Sequence, residues 1–343
     1  MRKKTAISIL WDAWCIASIV GIWPRFIEPN LLRQTRITLA LPNLERPVRI
    51  AQFSDLHLHS GVSDCLLKKI VKRIAQMQPD IVIFSGDFIC CSQIKQPERL
   101  QAFLNAIPEA PLGNYCTLGN HDYSGYVSIN SNGDYDVFNT KKGDVGIGKA
   151  FSMLFSNTTL SRKVTENAKR TPFHQELNTL IAGTPFKLLH NQTLQAGHLN
   201  ITGLGEYTLG KMDPEQAFAG YNNDYPGVVL LHNPDGLPYL DDYPGEVILS
   251  GHTHGGQVNI PFLWKKFTLM ENRHLKSGLI RHKNKWIYIN RGVGSVISFR
   301  WFSPPELLEL TLEPTHDQRM CHSSCRRHRQ PHENRDTETV SSS

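Results

Sequence analysis

Short apolar runs rich in β-branched and aromatic residues recur along this chain, and several of them empty directly into a segment dense in Asp, His and Asn. VRIAQFS precedes DLH at 55 to 57, DIVIFS precedes Gly86 and Asp87, VVLL precedes His232, and EVIL precedes GHTH at 251 to 254. NYCTL, less apolar, precedes GNHD at 119 to 122. Runs of this length and composition read as buried strands. Between them, CLLKKIVKRIAQM (65 to 77) and PERLQAFLNAI (97 to 107) carry apolar residues at three- and four-residue spacing and read as helices. Strands alternating with helices predict an α/β layered fold, and in open sheets the side chains just past the carboxyl ends of the strands share one crevice. Five distant segments can therefore build one site.

The residue types say what that site would do. Asp55, His57, Asp87, Asn120, His121, His232, His252 and His254 offer carboxylate oxygen, imidazole nitrogen and an amide oxygen. This donor set suits manganese, iron or zinc, whereas magnesium asks for mostly oxygen and a structural zinc for cysteine. Two such ions about 3.5–4 Å apart need a shared carboxylate, and together they clamp the attacking and departing oxygens of an in-line displacement. Asp87 is the candidate bridge. A single histidine after a strand is ordinarily a packing residue, so His174 and His190 are read that way. His59 is read that way too, with contact to a substrate phosphate as its alternative.

The ordered set DxH, GD, GNHD, H and GHxH resembles the calcineurin-like metallophosphoesterase family over roughly residues 47 to 312. The resemblance implies a four-layer α/β sandwich, two packed mixed sheets flanked by helices. It implies two divalent metal ions, manganese with iron or zinc as alternatives. Asp55, His57, Asp87 and His254 would hold one, and Asp87, Asn120, His232 and His252 the other. A hydroxide bridging them would be the nucleophile, His121 the acid, and Asp122 the residue that orients His121. Many members read GDxxD in the second motif; here the last position is Cys90.

GHTHGGQ (251 to 257), the HNPD turn (232 to 235) and NRGVG…FRWFSPPELLELTL (290 to 312) place the resemblance in the membrane-associated branch of that family. It implies metal-dependent hydrolysis of the pyrophosphate of UDP-2,3-diacylglucosamine to UMP and 2,3-diacylglucosamine 1-phosphate, a step of lipid A synthesis. The partners would be a lipid-linked nucleotide and a membrane surface. Two alternatives stand beside it: a phosphodiesterase or phosphatase of broader specificity, and a membrane-attached binding protein with a vestigial site.

Residues 1 to 36 read as a membrane-associated helix with a basic flank. Arg2, Lys3 and Lys4 precede an apolar stretch from Thr5 to Trp23, long enough at about 1.5 Å per residue nearly to cross a bilayer. Asp12 interrupts it, and Thr5, Ser8, Asp12, Cys15 and Ser18 share one side of a helix, with Ile9, Leu10, Ala13, Ala17 and Val20 opposite. A carboxylate at mid-membrane costs about 2.5–3.5 kcal/mol, so a helix lying in the interface competes with one that spans. The expected place is the inner membrane, peripheral or held by a single N-terminal anchor, with the catalytic domain in the cytoplasm. Six basic residues against two acidic ones give this segment +4 of the chain's +6. No comparable basic stripe with interleaved aromatics lies elsewhere, which argues against a nucleic-acid groove.

The rest divides into a catalytic domain at 47 to 312, an insertion or cap at 123 to 185, and a polar, disordered tail at 315 to 343. With 343 residues, 40% of them apolar, one large core is expected. Phe151, Met153, Leu154 and Phe155 are candidates for a greasy cap able to receive acyl chains. Seven cysteines without disulfide spacing read as thiols in a reducing compartment, and Cys321, His322 and Cys325 lack the second pair a metal site would need.

Overall fold

The computed structural model describes residues 5–138, 160–260, 264 and 270–315. Two six-stranded sheets form its centre. The first runs β1 (Arg33–Leu41), β14 (Glu306–Pro314), β2 (Val48–Phe53), β3 (Ile81–Ser85), β4 (Asn114–Thr117) and β7 (Phe186–Leu188). The second runs β12 (Gly278–His282), β13 (Lys285–Ile289), β11 (Val247–Ser250), β10 (Gly227–Leu230), β9 (Asn200–Gly203) and β8 (Gln192–Gln195). Both are mixed: β2, β3, β4 and β7 are parallel, as are β13, β11, β10 and β9, while β14 against β2, β12 against β13 and β8 against β9 are antiparallel.

Burial on both faces explains the unbroken apolar runs. In β3, Ile81 and Ile83 point between the sheets, where they join Ile50, Val228, Leu230, Val247, Leu249, Leu308 and Leu310. Val82 and Phe84 point outward, against the helices α2 (Asp64–Met77) and α3 (Pro97–Ala106). Helix α2 begins where the Ser63 hydroxyl accepts from the Leu66 amide and ends at left-handed Gln78, and it buries Leu66, Leu67, Ile70, Ile74 and Met77. The outer face of the second sheet is covered more thinly, by the helix Pro214–Phe218 and a 3₁₀ segment, Pro234–Leu240, which bury Ala217, Leu237 and Leu240 against Val229, Ile248 and Ile287. This is the four-layer arrangement the sequence implied.

Two boundaries move. Residues 33–41, expected as basic flank and linker, form β1, paired in parallel with β14 from Arg33↔Glu306 to Leu41↔Pro314, so the sheet begins before residue 47 and Arg36 pairs with Glu309 at 2.7 Å. Within the expected insertion, the helix Gln175–Ala182 packs Leu177, Leu180 and Ile181 into the core layer with α2 and α3, and only the part before it departs from the layers. That part begins with the hairpin β5 (Tyr126–Ile129) and β6 (Tyr135–Phe138). The proposed cap residues 151 to 155, the basic residues 2 to 4, and Cys321, His322 and Cys325 lie outside the described residues.

The N-terminal segment is helical from Ala6 to Asn30: α1 (Ala6–Ala17), then a wider π winding (Ser18–Ile27) around Pro24, then a 3₁₀ turn (Glu28–Asn30). Ile7–Asn30 has a mean hydropathy of 1.5 and is, by length and composition, long and apolar enough to cross a membrane. Its large apolar residues face outward: Leu10 is 70% exposed and Trp11 66%. Ser8, Asp12, Cys15 and Ser18, the polar stripe read from the sequence, are its less exposed positions.

Candidate metal centre

Each candidate ligand stands just past a strand: Asp55 and His57 after β2, Asp87 after β3, Asn120 and His121 after β4, His232 after β10, His252 and His254 after β11. Both sheets turn these ends the same way, and all eight side chains meet. Asp55, His57 and His254 form one group able to share an ion, and Asp87, His232 and His252 form another. His57 Nε2 lies 3.0 Å from His254 Nε2 and 3.4 Å from Asp87 Oδ2; His232 Nε2 lies 3.2 Å from the same Asp87 oxygen. Asp87 therefore sits between the two groups, where a shared carboxylate must be. His252 Nδ1 is 3.0 Å from Asn120 Oδ1, which closes the second group.

The backbone is bent into unusual shapes to do this. Asp55, His57, Asp87, His252 and His254 all have φ between +43° and +70°, a left-handed region that costs a residue with a Cβ of order 1–3 kcal/mol. Five of seven candidate ligands holding such strain marks a place where position outranks local comfort. Gly86 (φ +93°) is forced for a second reason, since a Cβ there would come within 2.5 Å of His232 Nδ1.

Outer contacts aim the donors. His57 Nδ1 donates to the Ile89 carbonyl (3.3 Å) and His232 Nδ1 to the Ser85 carbonyl (2.7 Å), which leaves each Nε2 facing inward. Asn120 gives its amide N–H to the Val127 carbonyl and turns its oxygen to the site. Both Asp55 oxygens accept from the His252 amide, at 2.9 and 3.1 Å, and Ser54 Oγ also donates to Asp55. The NRGVG turn holds the Asp55 loop from behind: Val293 and Gly294 donate to the Ser54 and Asp55 carbonyls, while Asn290 bonds Gln52.

His121 is held differently. Its Nδ1 accepts the Cys91 amide at 2.9 Å, leaving only Nε2 to meet a substrate. Its amide donates to Asp87 Oδ1, and its ring packs edge-on to His57 and against Tyr126, 4.6 Å between centroids. It lies close enough to His57 and Asp87 that the three also form a possible ion-holding group. The expectation for Asp122 is corrected. Its carboxylate accepts four backbone amides, those of Gly119, Asp87, Phe88 and Ile89, at 2.7 to 3.2 Å, so both oxygens are spent fastening the second and third loops together. It fixes Asp87 rather than His121. His59 is an ordinary residue here: Nε2 bonds the Ser295 carbonyl and Nδ1 accepts the Gly61 amide.

Electrostatics fit a cation pair. Burial keeps His57 and His252 neutral, with pKa values lowered to about 3, and pushes Asp55 up to about 6. Burial also works against charge on Asp87 and His232, but their mutual attraction wins: Asp87, surrounded by His232, His121 and His57, stays well below the usual carboxylate range, and His232 rises well above the usual imidazole range. Without metal, then, a proton on His232 balances Asp87, although His232 Nε2 makes no hydrogen bond. A cation bound to that nitrogen replaces the proton.

Two features escaped the sequence. Arg300, wholly buried, donates to the carbonyls of Arg291, Gly292, Gly294 and Ser303 and stands 3.3 Å from His254 Nδ1. Its own amide donates to the Pro24 carbonyl. Beside it, buried Glu28 accepts the Ser303 amide (2.6 Å) and the Trp23 indole N–H, and Ser303 Oγ donates to the His254 carbonyl. The N-terminal segment is thus bonded to the loop at 300–303, which in turn contacts the candidate ligand His254. The only signal was the FRWFSPPE stretch itself. Tyr126, from the hairpin, is the second, and nothing in its local sequence distinguishes it.

A profile of calcineurin-like phosphoesterases matches residues 48–256. The chain is 38% identical over 306 residues, 84% of this chain and 92% of the other, to the UDP-2,3-diacylglucosamine pyrophosphatase LpxG of Chlamydia trachomatis serovar D. It is 37% identical over the same shares to the protein of that name from Chlamydia muridarum. Phosphodiesterase YaeI of Escherichia coli K12 is 26% identical over 84% of this chain and 90% of its own.

Proposed function

The chain belongs to the calcineurin-like metallophosphoesterase family, a family of metal-dependent hydrolases with a dinuclear site, and from that premise we propose that it hydrolyses the pyrophosphate of UDP-2,3-diacylglucosamine at a membrane surface. Water adds to one phosphorus, the bridging P–O bond breaks, and UMP and 2,3-diacylglucosamine 1-phosphate leave. The observation that carries this reading is the 38% identity with a protein named for that activity, sustained over 84% of the chain.

The geometry is compatible with each role. We assign Asp55, His57, Asp87 and His254 to one metal and Asp87, Asn120, His232 and His252 to the other. Bound there, two cations supply Lewis-acid polarisation of the phosphoryl oxygens and lower the pKa of water. We take manganese, with iron or zinc as alternatives, as the ion, because the donors are oxygen and nitrogen without thiolate. His121 Nε2, its ring fixed by the Cys91 amide at Nδ1, is our proton donor to the leaving oxygen; burial opposes charge on the ring, while Asp87 and Cys91 raise its pKa. An apolar groove of about 540 Å³ between the N-terminal segment and the FRWFSPPE loop, lined by Ile19, Trp23, Leu31, Trp301, Phe302 and Pro304, suits a substrate with acyl chains. We place the N-terminal helix in the interface of the inner membrane with the catalytic domain on the cytoplasmic side, where the polar stripe need not enter the bilayer core.

A second reading, a phosphodiesterase of broader specificity, is favoured by the likeness to the E. coli protein of that name. Turnover of UDP-2,3-diacylglucosamine by the detergent-solubilised protein with manganese, following UMP and the lipid monophosphate beside Asp87→Ala, separates the two. Release of both products by the unsubstituted chain alone supports the lipid assignment. Turnover of a bis-aryl phosphate without release of UMP would sink it and leave the broader reading.

A further inference from the structure

Four residues after the bridging Asp87, the backbone makes a tight turn in which Gln93 N donates to the Cys90 carbonyl and Cys91 and Ser92 both have positive φ, +53° and +56°. Such a turn ordinarily takes Asn-Gly, so two residues with Cβ atoms are held there under strain. The turn's backbone serves the site, since the Cys91 amide holds His121 Nδ1 and the Ser92 amide bonds the His121 carbonyl (3.1 Å). The sulfurs of its two adjacent thiols lie 3.6 Å apart, with Cys91 buried and Cys90 half-buried.

That spacing selects a chemistry. A disulfide has its sulfurs at about 2.05 Å and usually its Cα atoms about 4.4–6.8 Å apart, whereas neighbouring residues offer only about 3.8 Å. Two thiolates on one tetrahedral soft ion, at about 2.3 Å per bond, stand about 3.8 Å apart. The pair is set for one bridging atom, not for a bond between sulfurs. Cys90 donates to Cys91, a bond that together with His121 draws the Cys91 thiol's pKa down despite burial.

We propose that Cys90 and Cys91 form a dithiol site that captures a soft, thiophilic centre such as trivalent arsenic, and that capture stops hydrolysis by pulling the Cys91 amide away from His121. With an arsenoso compound, two As–S bonds replace the arsenic–oxygen double bond and the oxygen leaves as water with both thiol protons. Arsenic stays trivalent, so no oxidant is required. Capture is independent of the proposed lipid substrate; only the loss of hydrolysis rests on the role assigned to His121.

The test uses the full-length, metal-loaded protein in detergent with phenylarsine oxide. Intact mass and peptide mapping locate the adduct, and a bis-aryl phosphate reports hydrolysis. One adduct per chain spanning Cys90 and Cys91 is expected, with activity lowered on the order of 10²-fold. It should be reversed by 2,3-dimercaptopropanol and resist 2-mercaptoethanol at equal thiol. Cys90→Ser should keep basal hydrolysis and form no monothiol-resistant adduct. An adduct at Cys15 or Cys65 instead, equal capture by Cys90→Ser, or a fully active wild-type adduct would each overturn the proposal. Should Cys90→Ser not fold, mapping on the wild type decides alone: absence of the bridged peptide ends it. If no diester is turned over at all, the mapping still tests capture while the failure falls on the proposed function.

Discussion

The metal centre and the N-terminal segment break the usual rule of protein interiors in opposite directions. At the centre, Asp55, His57, Asp87 and His232 are polar and almost wholly buried; along Ile7–Ile27, isoleucines, leucines and tryptophans are bare. Either inversion costs free energy in a protein alone in water; bound cations would offset the first and, on the placement we propose, an apolar phase the second. The two regions are also joined, because Pro24 and Glu28 of the helix bond Arg300 and Ser303, which themselves contact His254. They are chemically separate and mechanically coupled.

Asp87→Ala strains that separation most, because it removes the shared carboxylate. Turnover should fall to background and bound metal from two ions per chain to one or none, while partitioning onto vesicles is unchanged; full occupancy by elemental analysis would refute the bridge. His121→Ala comes next. It should keep both ions and lose on the order of 10²–10⁴ in kcat, and unaltered kcat would remove His121 from the chemistry. Arg300→Met probes the coupling itself. It leaves four buried carbonyls without their donor, so destabilisation of about 3 kcal/mol or more is expected, with weaker metal binding at His254; a variant with wild-type Tm and metal affinity would show that the link transmits nothing.

Smaller effects bear on charge at each end. Because the cation must displace the proton on His232, whose pKa is raised by Asp87, apparent metal affinity should fall as pH falls, by about tenfold per unit for one proton exchanged. Asp55, raised to about 6 by burial, takes up a further proton below that pH and steepens the loss. A flat affinity between pH 5 and 8 would contradict the charge balance. Last, Arg25→Glu on the exposed helix should weaken binding to anionic vesicles by about 1 kcal/mol per charge removed and leave hydrolysis of a soluble diester intact. Equal binding to neutral and anionic vesicles would show that charge has no part in attachment.

How much of this could be read from the chain follows from the same contrast. That the seven candidate ligands and His121 come together was legible because a polar cluster straight after a buried strand has few other reasons to exist. Arg300 was not, since its work is to satisfy carbonyls at 291, 292, 294 and 303, a role without period or motif. Asp122 was placed at the right spot and given the wrong partner: sequence adjacency to His121 suggested contact, whereas the folded loops bring four amides to its oxygens. Arg36 was counted with the membrane charges although RQTRITLAL alternates like an edge strand, and Glu309, which pairs with it, lies far along the sequence. Local pattern reveals what a segment is made for; it is silent about partners that only the fold supplies.

The order β1-β14-β2 has a consequence for how the protein comes into being. The first strand of the sheet flanks the last, with Arg33 opposite Glu306, so on the ribosome β1 waits for about 270 more residues, roughly 15–55 s at ordinary rates of synthesis. Through that interval its hydrogen-bonding edge is open, the condition under which nascent chains pair with one another. The apolar helix immediately before it is already made, and a membrane taking up that helix, as we propose, would also keep neighbouring unfinished chains from stacking edge to edge. On that placement, the segment that would bring the finished enzyme to a lipid surface would also shelter it while it is being born.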